Sequence, residues 1–273
     1  MKSFRYLIAI LLLVVGSFSF YHFQKRERNK FPIIVLHGGP GLSSPYIKEH
    51  LSDFENRHFV FFDQKNCDDL KCANGVPKFD ELVDQLKAQV EKIDGPFGIL
   101  AHSWGSTLLL KFLETYPNLK PSEVLLTNPA PVSAKQFLEI AKNINSSYSE
   151  EDLKVISKLQ SRPEHCYEML NVIFKYYTFR KESLDLNLKG SNCALPNHIY
   201  SEIPTYDFEH ILEQLPERTL VIKGDADPFM VASFPHLKSK TMKQVGHFPF
   251  IEDKVAFRRV LLDFFETNQL LHF

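Results

Sequence analysis

Ser103 lies in Ile99-Leu100-Ala101-His102-Ser103-Trp104-Gly105-Ser106, between a short apolar run and a stretch whose apolar residues recur at helical spacing. A serine hydroxyl becomes a useful nucleophile when a neighbouring base takes its proton, and the base in turn needs a group that orients it. The chain offers both further on. Gly224-Asp225-Ala226-Asp227 carries two acids, and Gly246-His247-Phe248-Pro249 carries a histidine. Serine, acid and histidine in that order suit acyl transfer through a covalent intermediate. His37-Gly38-Gly39-Pro40-Gly41 adds a rigid turn with exposed backbone N–H groups, which could stabilise the oxyanion formed on attack or simply bind an anion.

These residues need elements to hold them. Phe97–Ala101 reads as a strand and Thr107–Tyr116 as a helix, so Ser103 falls on a sharp strand-to-helix turn. Such a turn needs small residues two places either side of the serine, here Ala101 and Gly105. The same serine could instead be an ordinary helix N-cap. Phe31–Leu36 is a continuous apolar run that ends at the glycine turn, as expected of a strand covered on both faces. His58–Asp63, Val124–Thr127, Thr219–Ile222 and Lys240–Val245 read as further strands; Asp80–Ile93 and Glu252–Phe265 read as helices. Strands alternating with helices imply right-handed crossovers and a mainly parallel sheet, whose ligands bind at the carboxyl ends of the strands. All the reactive motifs fall at such ends.

From Pro131 to about Leu215 the strand rhythm stops and helices take over, with Ser149 placed as the N-cap of one of them. This stretch reads as a helical cap (residues 130–215) inserted into an α/β core (residues 31–129 and 216–273). Its aromatics, Tyr167, Phe174, Tyr176, Tyr177 and Phe179, are expected to form the cap's own interior.

Composition narrows the function. The 273 residues, 44% hydrophobic and 24% charged with a net charge of -1, can bury a sizeable core and carry no basic footprint for nucleic acid. Phe is abundant (24) and Gly scarce (11), and six of the glycines (Gly38, Gly39, Gly41, Gly105, Gly224, Gly246) fall in the reactive segments. Tyr6–Phe23 contains no charged side chain and follows Lys2 and Arg5, which is the layout of a membrane anchor. A signal peptide cleaved near Ser17-Phe18-Ser19 is the rival reading. Four cysteines, with Cys67 and Cys72 close enough in one loop to bridge, favour an oxidising compartment over four unrelated thiols alongside Cys166 and Cys193. No spacing suggests a metal site or a cofactor. The expected partners are a small-molecule or short-peptide substrate and, through the first 23 residues, a membrane, with the catalytic domain extracytoplasmic or secreted.

The set HGGPG, DQKNC, AHSWGS, GDAD and GHFPF resembles the α/β-hydrolase fold and, more narrowly, the proline iminopeptidase branch of serine peptidases. The resemblance runs from Phe31 onward, the cap excepted. It implies Ser103 as nucleophile, His247 as general base and acid, and Asp227 as the group that orients the imidazole, because the family's acid lies three residues past a glycine. It also implies an oxyanion hole made by the backbone N–H groups of Gly39 and Trp104, and structural roles for His37 and His102. Proline iminopeptidases bind a free α-amine with acidic cap residues, for which Glu164, Glu168 and Glu202 are candidates. A carboxylesterase or lipase-like acyl hydrolase is the alternative, and a catalytically silent hydrolase-like binding module the third reading. The chain departs from the family in several places. The short run between the apolar segment and the first strand implies a sheet lacking its first two strands. Lys65-Asn66 stands where the family has Arg-Gly, and Trp104 is the sole tryptophan.

Overall fold

In a computed structural model of the chain, residues 31–52, 54, 58–65, 75–230, 232 and 234–266 are described. The apolar stretch at residues 6–23, together with Cys67 and Cys72, lies outside them. Within them no helix is long and apolar enough to cross a membrane.

Among the described residues six strands form one sheet: β1 (Pro32–Leu36), β2 (His58–Phe62), β3 (Gly98–His102), β4 (Glu123–Thr127), β5 (Thr219–Gly224) and β6 (Lys238–Met242). The order is β2-β1-β3-β4-β5-β6 and every neighbouring pair is parallel. The expectation of a sheet without its first two strands concerns chain ahead of β1, outside the described residues. From β1 the chain crosses to β2 on one side and then to β3 on the other, so the order reverses between β1 and β3. A crevice opens at such a switch point, above the carboxyl ends of the two strands. Leu36 pairs with Ala101 there, which sets the glycine turn after β1 beside Ser103 after β3.

Helices cover both faces. α1 (Pro45–Leu51) follows β1, α2 (Phe79–Val90) leads into β3, and α3 (Trp104–Thr115) follows β3. Alternate strand residues Ile34, Leu36, Ile99, Ala101, Val124 and Leu126 pack with Leu82, Leu86, Leu108 and Phe112 of α2 and α3. The intervening residues Ile33, Val35, Leu100 and Leu125 pack with Ile47 of α1 and with Phe257 and Leu261 near the carboxyl end. The period-two division of one strand between two cores explains the unbroken apolar runs of the sequence.

Between β4 and β5 lie α4 (Ala134–Ser147), α5 (Glu150–Leu159), α6 (Cys166–Phe174) and α7 (Leu195–Glu202). The chain enters and leaves this insertion side by side: Ala134 N–H donates to Tyr206 O at 2.8 Å and Phe208 N–H to Val132 O at 2.8 Å. Ser149 caps α5 by accepting from Asp152 N–H at 3.1 Å. A disulfide joins Cys166, at the start of α6, to Cys193, just before α7. The sequence offers only the proximity of Cys67 and Cys72. The Cys166–Cys193 pairing spans 27 positions and is produced by the fold of the insertion.

Most element boundaries shift by one to three residues, and two differences have a clear physical cause. β6 spans Lys238–Met242, two residues earlier than its apolar pattern suggests, because it is an edge strand whose Lys238, Ser239, Lys240 and Thr241 face solvent. The terminal helix is split into α8 (Pro249–Glu252) and α9 (Lys254–Glu266), since Asp253 leaves helical geometry and its Oδ1 accepts from Ala256 N–H at 2.9 Å, as an N-cap does. The expected interior for the insertion's aromatics holds for Tyr176, which packs on Tyr148 at 4.6 Å, and in part for Tyr177, which also meets Ile140 and Ile144, but not for the rest. Phe174 and Tyr177 pack with Val245, Phe248 and Phe250 of the α/β core, while Tyr167 and Phe179 are exposed. Tyr177 flanks His247, and Phe174 reaches the neighbouring Phe248, because the insertion lies on that end of the sheet.

Candidate active site

Ser103 has φ 52° and ψ -122°, a backbone conformation that an L-residue rarely holds. Its surroundings enforce it. Ser103 N–H donates to Thr127 O at 3.2 Å, while its carbonyl accepts from Ser106 N–H (2.9 Å), Ser106 Oγ (2.6 Å) and Ala130 N–H (3.2 Å). A Cβ on Gly105 would come within 2.5 Å of Leu36 O, which is why the position two after the serine has no side chain. A Cβ on Gly38 would lie 3.1 Å from Ser103 Cβ, so the glycine turn abuts the serine directly.

His247 and Asp227, the expected base and its orienting acid, meet as side chains. His247 Nδ1 donates to Asp227 Oδ1 across 3.0 Å, with His247 3% and Asp227 5% exposed. With Nδ1 committed to the carboxylate, Nε2 of the neutral ring is left as the acceptor for an incoming proton. Asp227 is held from three sides: Oδ1 also accepts from Phe229 N–H at 2.9 Å, and Oδ2 accepts from Asn128 Nδ2 at 2.6 Å. Asp225, the other acid of the pair, instead accepts from Val245 N–H at 3.4 Å and lies 3.8 Å from Lys243 Nζ. It shapes the turn and does not touch the imidazole.

The glycine turn and the first turn of α3 bracket Ser103. Gly38 N–H donates to Tyr46 Oη at 2.5 Å, which leaves Gly39, at φ 58°, as the next amide of the turn. Trp104 begins α3, where backbone N–H groups have no acceptor within the helix. Its ring is fixed by Nε1 donating to Gln64 Oε1 at 3.0 Å and by the Phe79 ring at 5.1 Å. His37 is buried; desolvation holds it below the ordinary imidazole range, and Gln64 N–H donates to its Nε2 at 3.3 Å.

Aromatic rings collar the histidine. Tyr177, Phe229 and Phe248 have ring centroids 5.4, 5.1 and 5.4 Å from His247. Burial raises the Tyr177 phenol well above its usual range, so it is a neutral donor at any ordinary pH. On the other flank Tyr200 lies 5.4 Å from Trp104 and stacks on Phe137 at 4.6 Å.

Of the three candidate carboxylates of the insertion, two are paired with other groups. Glu202 accepts from Phe79 N–H at 2.7 Å and pairs with His198 at 3.3 Å. Glu168 pairs with His165 at 3.3 Å on the surface. Glu164 lines a cavity of about 620 Å³ beside the disulfide, together with Glu49, Tyr167 and Asp185.

Several residues around this site carry no local signal in the sequence. Glu252 accepts three backbone hydrogen bonds: from Phe179 at 2.8 Å and Gly246 at 3.0 Å through Oε2, and from Phe248 at 3.0 Å through Oε1. Tyr46 and Asn128 are also structural partners of the site. Asn128 differs from Tyr46 and Glu252 in carrying a signal, as the polar residue directly after a central strand whose neighbour β5 leads to Asp227.

No protein-family model matches this chain. The proline iminopeptidase of Lactobacillus crispatus (strain ST1) is 22% identical over 272 residues, covering 87% of this chain and 91% of that protein. Among solved structures, the proline iminopeptidase of Mycobacterium smegmatis superposes with a TM-score of 0.59 at 18% identity over 88% of this chain and 90% of the other. The esterase EaEST from Exiguobacterium antarcticum gives 0.57 at 12% identity over 86% and 91%. The chain has the α/β-hydrolase fold and is proline iminopeptidase-like in sequence.

Proposed function

We propose that this α/β-hydrolase-fold protein is a serine hydrolase that cleaves an amide or ester through an acyl-enzyme on Ser103. The observation that carries the reading is the buried Asp227–His247 hydrogen bond at the end of the sheet where Ser103 is held at positive φ beside the glycine turn. In this mechanism Ser103 Oγ forms a bond to the substrate carbonyl carbon while His247 Nε2 takes its proton. The oxygen that becomes negative is met by the backbone N–H groups of Gly39 and Trp104. Collapse breaks the bond to the leaving amine or alcohol, which receives the proton from His247; water then repeats the sequence and frees the acid. Asp227 keeps the imidazole in the tautomer that accepts at Nε2 and stabilises the imidazolium. No cofactor or metal enters these steps.

The leading substrate is an N-terminal prolyl peptide or arylamide, supported by the sequence likeness to proline iminopeptidases. A second reading, a carboxylesterase-like acyl hydrolase, is favoured by a specific observation: Glu168 and Glu202 are paired with other groups, while the rings collaring His247 are Tyr177, Phe229 and Phe248. A fluorophosphonate probe on the purified protein, beside Ser103→Ala and His247→Ala, tests the reaction class. Labelling lost in both variants supports it; a folded parent that does not label sinks it. A panel of Pro-arylamide and short acyl esters then separates the two substrates.

From the apolar stretch at residues 6–23 and the cysteine count we also propose that the domain lies outside the cytoplasm, anchored by that stretch or secreted once it is removed. Mass spectrometry of the mature amino terminus separates anchor from signal peptide.

A further inference from the structure

Three backbone segments converge on the proposed centre: the glycine turn after β1, the nucleophile turn after β3, and the loop carrying His247. Two buried side chains join all three. Tyr46, on α1, accepts from Gly38 N–H at 2.5 Å and lies 2.7 Å from His102 Nδ1. His102, the residue before Ser103, places Nε2 2.9 Å from the carbonyl oxygen of His247. Neither residue touches a surface, at 1% exposure each.

The donors along this line are fixed by chemistry. Gly38 N–H can only donate, so it occupies a lone pair of Tyr46 Oη, and the phenolic hydrogen points onward to His102 Nδ1. Nδ1 is therefore an acceptor and Nε2 carries the proton, which is what a carbonyl oxygen requires. The opposite tautomer would set a bare nitrogen lone pair against the His247 carbonyl. A doubly protonated ring would set Nδ1–H against the tyrosine hydrogen. Burial, with the neighbouring His247, holds His102 well below the ordinary imidazole range, so the neutral ring persists.

We infer that Tyr46 and His102 are positioning residues of the proposed serine hydrolase, forming a brace that sets the oxyanion turn, the nucleophile turn and the base relative to one another. The inference rests on the serine-hydrolase reading. It assigns His102 more than a packing role: the ring transmits the position of the amide before Gly39 to the backbone of His247. Misplacement by a fraction of an ångström weakens the reaction while leaving substrate contacts in place.

The test uses the full chain with Tyr46→Phe, His102→Gln and His102→Phe. Tyr46→Phe removes one oxygen and both of its hydrogen bonds. His102→Gln keeps an amide donor within reach of the His247 carbonyl, and His102→Phe keeps only the ring volume. Saturation kinetics of fluorophosphonate labelling separate the maximal rate from reagent affinity. The expected result is a maximal rate lowered roughly 10- to 100-fold in Tyr46→Phe with affinity within about twofold, and a larger fall in His102→Phe than in His102→Gln. Long-range nitrogen NMR of the parent should show His102 with its proton on Nε2, and Tyr46→Phe should disturb that signal. A parent that labels while Tyr46→Phe labels at the parent rate overturns the inference alone, as does a His102 protonated on Nδ1. A folded parent that does not label removes the hydrolase reading and this inference with it. Should Tyr46→Phe not fold, the order of the two His102 variants decides.

Discussion

Asn128 and Asp227 are joined by a 2.6 Å hydrogen bond from Nδ2 to Oδ2, and the same amide nitrogen reaches Gly246 O at 2.9 Å. One side chain thus orients the acid and the residue before His247. Asn128 sits at φ 47°, a conformation that glycine adopts freely, so Asn128→Gly removes the amide without new strain. We expect kcat to fall about tenfold with KM unchanged. Asp227→Asn, which turns an acceptor toward His247 into an ambiguous amide, should cost roughly a thousandfold or more. Steady-state kinetics of both variants on whichever substrate the panel reveals will check the order; equal losses would sink the positioning role of Asn128.

The strain at Ser103 has a thermodynamic counterpart. A non-glycine residue held at φ 52° and ψ -122° costs roughly 1–3 kcal/mol. Ser103→Gly should therefore be about 1 kcal/mol more stable than Ser103→Ala, the gain being reduced by the greater freedom of glycine in the unfolded chain. Denaturant titration of the two variants measures this, and a glycine variant no more stable than the alanine one would show that the turn is unstrained.

Glu252 supports His247 from the other side. Its carboxylate accepts from the amides before and after the histidine and from Phe179 of the insertion. Glu252→Gln retains the volume but turns an NH2 group toward one of those donors. We expect a loss of about 2 kcal/mol in stability together with a lower kcat, and a larger loss for Glu252→Ala, which leaves three amides without that partner. Thermal unfolding and labelling rate read the two effects on the same samples; wild-type behaviour of Glu252→Ala would refute them.

Acid should destabilise the fold through its buried histidines. His37 and His102 both have folded-state pKa values below 6.5, with burial the leading cause. The unfolded chain then binds more protons than the native one in the window below 6.5. The stabilisation is complete above that pH and is lost as pH falls through it, with a slope approaching about 1.4 kcal/mol per pH unit for each group. Urea unfolding at pH 5 and pH 7.5 should differ accordingly, and His102→Gln should flatten the difference. Identical midpoints at the two pH values would contradict it.

The sequence makes some of this architecture legible and hides the rest for physical reasons. Continuous apolar runs mark β1, β3 and β4 because both faces of those strands are covered, and the reactive motifs directly follow strands because α/β sheets present their ends to ligand. The family pattern singles out Asp227 from Asp225, and it is Asp227 that bonds to His247. Tyr46 and Glu252 are different. Their roles depend on partners 56 positions away for His102 and 73 for Phe179, and a tyrosine or glutamate in a helix carries no mark of such a contact. Cys166 and Cys193 are likewise brought together by the folding of the insertion. β6 is misplaced by pattern alone because an edge strand has little apolar surface to display.

The amide of His247 donates to the carbonyl of Tyr177 at 2.7 Å, and a side chain on Gly246 would collide with that same carbonyl. The insertion is therefore fastened to the backbone of His247, the proposed base. An insertion that swung away as a rigid lid would pull the histidine's own anchor with it, so admission of substrate and readiness of the base would be mutually exclusive states. If His247 acts as proposed, Tyr177 is a fixed pivot and substrate would have to enter past parts of the insertion remote from it.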